Sequence, residues 1–314
     1  MQMSLVLSLL RCLPRRIIRG RLAAALVLAA ALVTLAGCSA LRLGYNNGAQ
    51  LAWWWLDGYL DLPREPAAAA RGAIDRWFEW HRATQLGGYA ALLAQMQAQV
   101  LEPANAAAAC SLWTQWREQA EPALDRALRA GADLVPLLGE AQLRHLEQRY
   151  AKNIDDLRED YLQPDPAQRQ RAAFKRALDR AEQIYGTLGA AQRRVLADAV
   201  AASPFDPEAW IRERQARQRD TVATLRRLVA DQAGRDTRVA ALRALAERSE
   251  RSPDPAYRER QRRLTEYNCG LVARLHNATT PAQRQQAREN LAGWEQDLRA
   301  LMAAPTVPAR AEGA

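Results

Sequence analysis

The sequence of 314 residues lacks the short motifs on which many enzyme active sites depend. It has no Gly-x-Ser-x-Gly, no Gly-rich phosphate loop and no Ser-x-x-Lys, the arrangements that present a nucleophile or hold a phosphate. The three histidines, His81, His145 and His276, lie outside any HExxH pattern, and the four cysteines form no CxxC. We therefore expect a protein that is not an enzyme and that holds no metal and no other cofactor.

Strand patterns are missing as well, since apolar and polar residues do not alternate over any sizeable stretch. After residue 48, apolar residues recur instead at helical spacing, as in Leu143, Leu146, Tyr150 and Ile154. The sequence predicts an all-α protein, a multi-helix array of about ten amphipathic helices. The predicted spans are 48–62, 66–85, 87–101, 104–130, 140–162, 165–186, 190–202, 206–232, 235–249, 254–277 and 281–303, and one or two of these eleven are expected to merge or break.

Breakers and capping residues separate these spans. Asp165, Asp206 and Asp254 each precede a proline at a predicted helix start, where an aspartate can cap and a proline is tolerated. Three other starts place a glutamine three residues after the capping position, and these pairs are Gly139 with Gln142, Gly189 with Gln192, and Thr280 with Gln283. The spacing of the pairs is too unequal for a repeat, so we interpret them as reused caps.

Most of the excess positive charge lies in the first 37 residues. The formal net charge of the chain is +9, and this segment contains five arginines and no acidic residue, which leaves +4 for the other 277 residues. So small an excess gives little reason to expect a nucleic-acid partner. The arginine-rich stretches 212–219 and 258–263 fit solvated helix faces, with contact to an anionic envelope polymer as the alternative.

The amino terminus resembles the signal sequence of a bacterial lipoprotein. Its arginines precede an uncharged stretch, residues 22–35, that is shorter than the roughly 20 apolar residues of a membrane span. The stretch ends in Leu35-Ala36-Gly37-Cys38, which resembles a lipobox. The resemblance implies cleavage after Gly37 and lipidation, with palmitate, at Cys38. An uncleaved anchor helix is the alternative.

The residue after Cys38 is relevant to localisation. It is Ser39, and the resemblance to bacterial lipoproteins implies that a protein with serine at this position is transferred to the inner leaflet of the outer membrane. We expect a protein anchored to the periplasmic face of the outer membrane by its N-terminal lipid. The predicted organisation is a lipoprotein signal peptide at 1–37, a lipidated anchor and linker at 38–47, a helical domain at 48–303 and a disordered tail at 304–314.

Cys110 and Cys269 are the two thiols of the expected mature domain. An oxidising periplasm favours a disulfide between them, and the loop that it closes would span about 160 residues. Two buried free thiols are the alternative.

Three successive tryptophans, Trp53 to Trp55, begin 15 residues after Cys38, close enough for contact with lipid headgroups. Three successive helical positions span about 200°, so the three side chains cannot all face one core. We expect Trp55 to pack in the core with Leu51 and Tyr59. Trp53 and Trp54 are the candidates for contact with a membrane or a partner.

Acidic, basic and aromatic residues gather in the first two predicted helices. Among them, Asp75, Glu79, His81 and Arg82 are candidates for lining a polar ligand-binding cleft. Capping and ion pairs between helices are the alternative explanation for the same residues.

Several stretches are similar to a family of uncharacterised proteobacterial lipoproteins. The similarity lies in Tyr45-Asn46-Asn47, in Trp-Trp-Leu-Asp-Gly-Tyr-Leu-Asp-Leu at 54–62 and in Trp80-His81-Arg82 with Gln85-Leu86, and it extends through 138–161 and 176–192. It implies an all-helical, lipid-anchored periplasmic protein and supplies no established activity. The Leu-x-x-x-Gln helix starts also resemble the LTxxQ motif of periplasmic stress chaperones related to Spy, with glycine replacing the threonine at 139 and 189.

These observations favour a binding or structural role in the cell envelope. The expected partner is an envelope protein or polymer, held by an amphipathic helical surface, and a chaperone-like role is one form of such binding. The alternative is a hydrolase or transferase of envelope polymers that uses the acidic residues near His81.

Overall fold

The protein is described over residues 40–303 by a computed structural model, in which this range contains twelve α-helices, one short 3₁₀ helix and no β-strand. The predicted all-α class is confirmed. The helices are α1 (Ala40–Asn46), α2 (Gly48–Leu60), α3 (Arg64–Thr84), α4 (Leu86–Gln99), α5 (Ala106–Leu134), α6 (Glu140–Tyr161), α7 (Pro166–Tyr185), α8 (Ala190–Ala201), α9 (Pro207–Ala230), α10 (Arg235–Glu250), α11 (Pro255–Asn277) and α12 (Pro281–Ala303), with the 3₁₀ helix at Val135–Leu137. The predicted signal peptide, Cys38 and the predicted tail at 304–314 lie outside the described residues.

The chain divides into two units at Asn46. Helix α1 belongs to the first unit, and it forms where the sequence predicts an anchor and linker. Helices α2 to α12 belong to the second unit, which begins at Asn47. Within residues 40–303, no helix combines the length and apolar character needed to cross a membrane.

Polar side chains begin the helices of the second unit as the sequence predicts. The carboxylates of Asp165, Asp206 and Asp254 each accept a hydrogen bond from a backbone N–H in the first turn that follows. At α12 the caps are reciprocal, because the Thr280 hydroxyl accepts from the Gln283 N–H while the Gln283 Oε1 accepts from the Thr280 N–H. These bonds satisfy donors that a helix start otherwise leaves unpaired.

Two buried clusters hold the second unit together. One joins α6 and α9 around the 3₁₀ helix, and its buried members are Val135, Leu138, Leu143, Leu146, Val222, Leu225 and Leu228. The other joins α7, α8, α11 and α12, and its buried members are Ala181, Tyr185, Leu188, Leu196, Leu275 and Ala287. Leu138 and Leu143 flank the start of α6 within the first cluster, in the positions of a hydrophobic staple.

Helix α5 connects distant parts of the second unit. It packs on α3 and α4 and also on α10 and α11. Cys110 in α5 and Cys269 in α11 lie at disulfide distance, with their Cα atoms 5.4 Å apart. The predicted pairing of these two cysteines is therefore confirmed, and it joins segments 159 residues apart.

Candidate functional site

The three tryptophans of α2 are placed differently from the expectation. Trp53 is buried, with 5% of its surface exposed, and the Arg71 guanidinium lies 4.4 Å from its ring. Trp55 is 63% exposed, although its ring lies 4.7 Å from that of Tyr59. The assignment of Trp55 to the core and of Trp53 to the surface was wrong, because the face of α2 that packs on α3 and α6 carries Trp53. Trp54 is exposed, as expected.

The solvent side of α2 thus presents an apolar strip. Leu51, Trp54 and Trp55 are 49%, 61% and 63% exposed. Their spacing of three and four residues places the side chains on one helix face. We call these three residues the α2 aromatic face. An apolar patch of this kind on a protein surface is typical of a contact with a membrane or another protein.

The four predicted residues of α3 do not converge on one cleft. Side chains two residues apart on a helix point in directions about 200° apart, so His81 points away from Glu79. Asp75, Glu79 and Arg82 lie on one side of the helix. His81 is buried, and its ring stacks on Trp77 at 4.6 Å. Arg82 donates a hydrogen bond to the Leu301 carbonyl at 3.4 Å.

His81 instead belongs to an aromatic row that crosses three helices. Its ring lies 5.8 Å from Tyr89 of α4, which in turn stacks on Trp116 of α5 at 5.5 Å. Burial lowers the pKa of His81 and raises the pKa of Tyr89. Both shifts favour the neutral form of the side chain, as burial generally does.

The other two histidines are also held by tertiary contacts. His145 Nε2 lies 3.2 Å from the Gly58 carbonyl. His276 is buried, with Nε2 at 2.8 Å from the Glu102 carbonyl and Nδ1 at 2.9 Å from the Tyr185 hydroxyl. Residues 40–303 contain no group of three or more His, Cys, Asp or Glu side chains placed to hold a metal ion.

The arginine-rich stretches are largely engaged in local contacts. In α9, Arg212 and Arg217 pair with glutamates four residues earlier. In α11, Arg262 pairs with Glu259 and Glu266. These contacts support the interpretation of both stretches as solvated helix faces.

A cleft of about 360 Å³ lies between α3 and α5, and no pattern in the sequence predicted it. We call it the α3–α5 cleft. Its lining is partly apolar and partly cationic, and it consists of Ala69, Ala73, Arg76, Trp77, Arg126, Arg129, Ala130, Asp133, Leu134, Leu137 and Arg235. The lining contains four arginines and one aspartate, so positive charge predominates.

Small side chains leave room for this cleft. Ala69 and Ala73 are four residues apart on α3, and Ala130 lies across from them on α5. Trp77 closes one side, and its position is defined because its Nε1 donates to the Ala123 carbonyl at 3.0 Å while its ring stacks on His81. The sequence analysis singled out none of these residues, because alanines and an arginine on a helix indicate a site only when a facing helix supplies the rest of the lining.

Within the described part of the chain, two of the four arginines have a carboxylate partner and two do not. Arg129 and Arg235 are bound to carboxylates, at 2.8 Å from Asp125 and 2.7 Å from Asp133. Arg126 lies over the Trp80 ring at 4.7 Å. Neither Arg126 nor Arg76 has an acidic partner among residues 40–303. Two guanidinium groups at the cleft therefore remain able to receive an anion.

A family model matches most of the chain. It is DUF6279, described as a family of unknown function, and it covers residues 58–258. The curated proteins and the solved structures that were searched contain no match to the chain.

Proposed function

Because this chain belongs to DUF6279, a family of unknown function, we propose its role from its own geometry: it is a membrane-held binding protein of the cell envelope rather than an enzyme. The observation that carries this proposal is the α3–α5 cleft. A concave surface with an apolar floor and a few charged groups is the usual form of a ligand site, and 360 Å³ falls within the range of about 300–1,000 Å³ typical of such sites.

The membrane part of the proposal has two supports. The segment Leu35-Ala36-Gly37-Cys38 has the sequence of a lipidation site, and we propose that Cys38 carries the palmitate-containing anchor in the outer membrane. The α2 aromatic face begins 13 residues after that cysteine, at Leu51. Tryptophan is enriched at membrane interfaces, so this face suits a surface that rests against lipid headgroups.

The alternative role as a hydrolase or transferase has less support. It requires acidic residues that act together with His81, and helix geometry directs His81 away from Glu79. A chaperone-like role is compatible with an apolar cleft and remains one form of the proposed binding function.

Metabolic labelling tests the anchor. Cells that express the natural chain should incorporate labelled palmitate into it, and Cys38→Ala should abolish the label and leave a larger precursor in the inner membrane. Cys12→Ala is the matched control, since it removes another cysteine of the amino-terminal segment. A Cys38→Ala protein that keeps its label and fractionates with the outer membrane would contradict the proposal.

A further inference from the structure

We propose that the α3–α5 cleft binds an anionic amphiphile, a molecule with one phosphate or carboxylate head and an apolar chain. The inference rests on the proposed binding function and adds the chemical class of the ligand. It follows from two properties that occur together in this cleft, an apolar floor and arginines without acidic partners.

The floor accounts for the apolar chain. Ala69, Ala73, Ala130 and Leu134 contribute only hydrocarbon, and Leu137 is 40% exposed at one end. Apolar surface left in contact with water costs about 25 cal/mol per Å², which a bound hydrocarbon chain would recover. An anion without an apolar chain would leave the apolar floor in contact with water.

The arginines account for the anionic head. A guanidinium group presents N–H donors in a planar fork that matches phosphate or carboxylate oxygens. Arg76 and Arg126 lie on the two facing helices and keep this capacity, because neither is bound to a carboxylate in the described chain. An amphiphile whose head lies between them and whose chain lies on the alanines would satisfy both parts of the cleft.

Asp133 and its neighbours make the site selective. Asp133 binds Arg235, so one carboxylate is already neutralised at the rim and the remaining charge is positive. A cationic head would meet this positive rim without compensation, and a neutral head would leave the two guanidinium groups without an anion. We therefore expect the charge of the head to matter more than the length of the chain.

Photocrosslinking tests the inference on the full-length lipoprotein, purified and reconstituted in phosphatidylcholine vesicles. The probe is decyl phosphate with a diazirine at the end of its chain, and mass spectrometry of the digested protein locates the label. We expect labelling of residues 69–77 or 130–137, and we expect competition by unlabelled decyl phosphate and by decanoate. Methyl decanoate, which has no charge, should compete at least tenfold less well.

Variants link the label to the two arginines. Arg76→Gln combined with Arg126→Gln should weaken binding at least tenfold. Arg212→Gln combined with Arg263→Gln removes the same charge from helix faces elsewhere and should leave binding within twofold of the natural protein. Circular dichroism should show equal helix content in all three proteins, because the substituted side chains are exposed.

The outcomes separate the inference from the proposed function. If methyl decanoate competes as well as decanoate, or if the double variant at 76 and 126 binds normally, the anionic class is wrong while the cleft remains a binding site. If no probe labels the cleft, the proposed binding function fails there as well. Labelling that is lost when the vesicles contain phosphatidylglycerol would identify a bilayer lipid, rather than a free amphiphile, as the source of the anionic head.

Discussion

Two buried polar residues, His276 and Tyr185, are hydrogen-bonded to each other in the interior of the protein. His276 Nε2 donates to the Glu102 carbonyl, which leaves Nδ1 free of a proton and able to accept from the Tyr185 hydroxyl. Burial lowers the pKa of His276 and raises the pKa of Tyr185 to about 12. Both side chains are therefore neutral at physiological pH and satisfy each other, as buried polar groups generally do.

The lowered pKa of His276 predicts a pH dependence of stability. A histidine whose pKa is lower in the folded state than in the unfolded state takes up its proton more readily after unfolding. Its stabilising contribution is complete above the unfolded pKa of about 6.5 and is lost as the pH falls through the folded pKa. Urea unfolding at pH 7.5, 6.5 and 5.5 should show a falling midpoint, and burial of His81 acts in the same direction.

The variant His276→Phe separates this contribution from the rest. At pH 7.5 we expect it to lower the free energy of unfolding by about 2–3 kcal/mol, since the Tyr185 hydroxyl and the Glu102 carbonyl lose their partner. The fall between pH 7.5 and 5.5 should become smaller, because His276 no longer titrates. An unchanged pH dependence in this variant would contradict the assignment.

Helices in this protein begin with caps that also connect one element to another. The Gln142 amide donates to the Asp61 carbonyl, which ends α2, and the Gln283 amide donates to the Thr187 carbonyl. Gln192, only 5% exposed, donates to the Ala278 carbonyl beyond the end of α11 while its Oε1 accepts from the Gly189 N–H. Each glutamine thus closes its own helix start and binds a carbonyl group that lies near the end of a different helix.

Because Gln192 makes both a capping and a tertiary hydrogen bond, we expect its replacement to destabilise the protein more than that of an exposed glutamine. Gln192→Ala should lower the free energy of unfolding by about 1–2 kcal/mol, because it removes a buried side chain together with its hydrogen bonds to the Gly189 N–H and the Ala278 carbonyl. Gln285→Ala, on the exposed face of α12, should cost less than about 0.5 kcal/mol. Thermal or urea unfolding of the two variants measures the difference, and equal costs would show that the tertiary bond to Ala278 contributes nothing.

On the scale of the whole molecule, one covalent link joins the first half of the second unit to its last helices. The loop between Cys110 and Cys269 is long, and the chain-entropy model assigns roughly 5 kcal/mol to a closure of this length. Replacing both cysteines by serine should therefore lower the free energy of unfolding by about 2–5 kcal/mol. Unfolding of the natural protein with and without a reductant should show a similar difference, and no change under reduction would contradict the prediction.

The proposed contact with a membrane is testable through the α2 aromatic face. In vesicles that contain brominated lipid, tryptophan fluorescence of the full-length protein should be quenched, and the combined variant Trp54→Phe and Trp55→Phe should lose much of that quenching. Trp113→Phe is the matched control, because Trp113 is 58% exposed on α5. If the control loses as much quenching as the double variant, α2 is not the part of the protein that meets the lipid.

The sequence by itself determined the helical class, the helix boundaries to within a few residues, the aspartate caps and the pairing of Cys110 with Cys269. These features depend on local rules: helical spacing of apolar residues, the capping chemistry of Asp165 or Gln283, and the presence of only two suitable thiols. The rotation of each helix about its axis was decided by tertiary structure. A row of three tryptophans requires that at least one be exposed, but only the packing of α2 on α3 and α6 selected Trp53 for burial and left Trp54 and Trp55 in solvent. The same holds for the α3–α5 cleft, whose alanines and arginines are about 60 residues apart in the chain and form one surface only because two helices meet there.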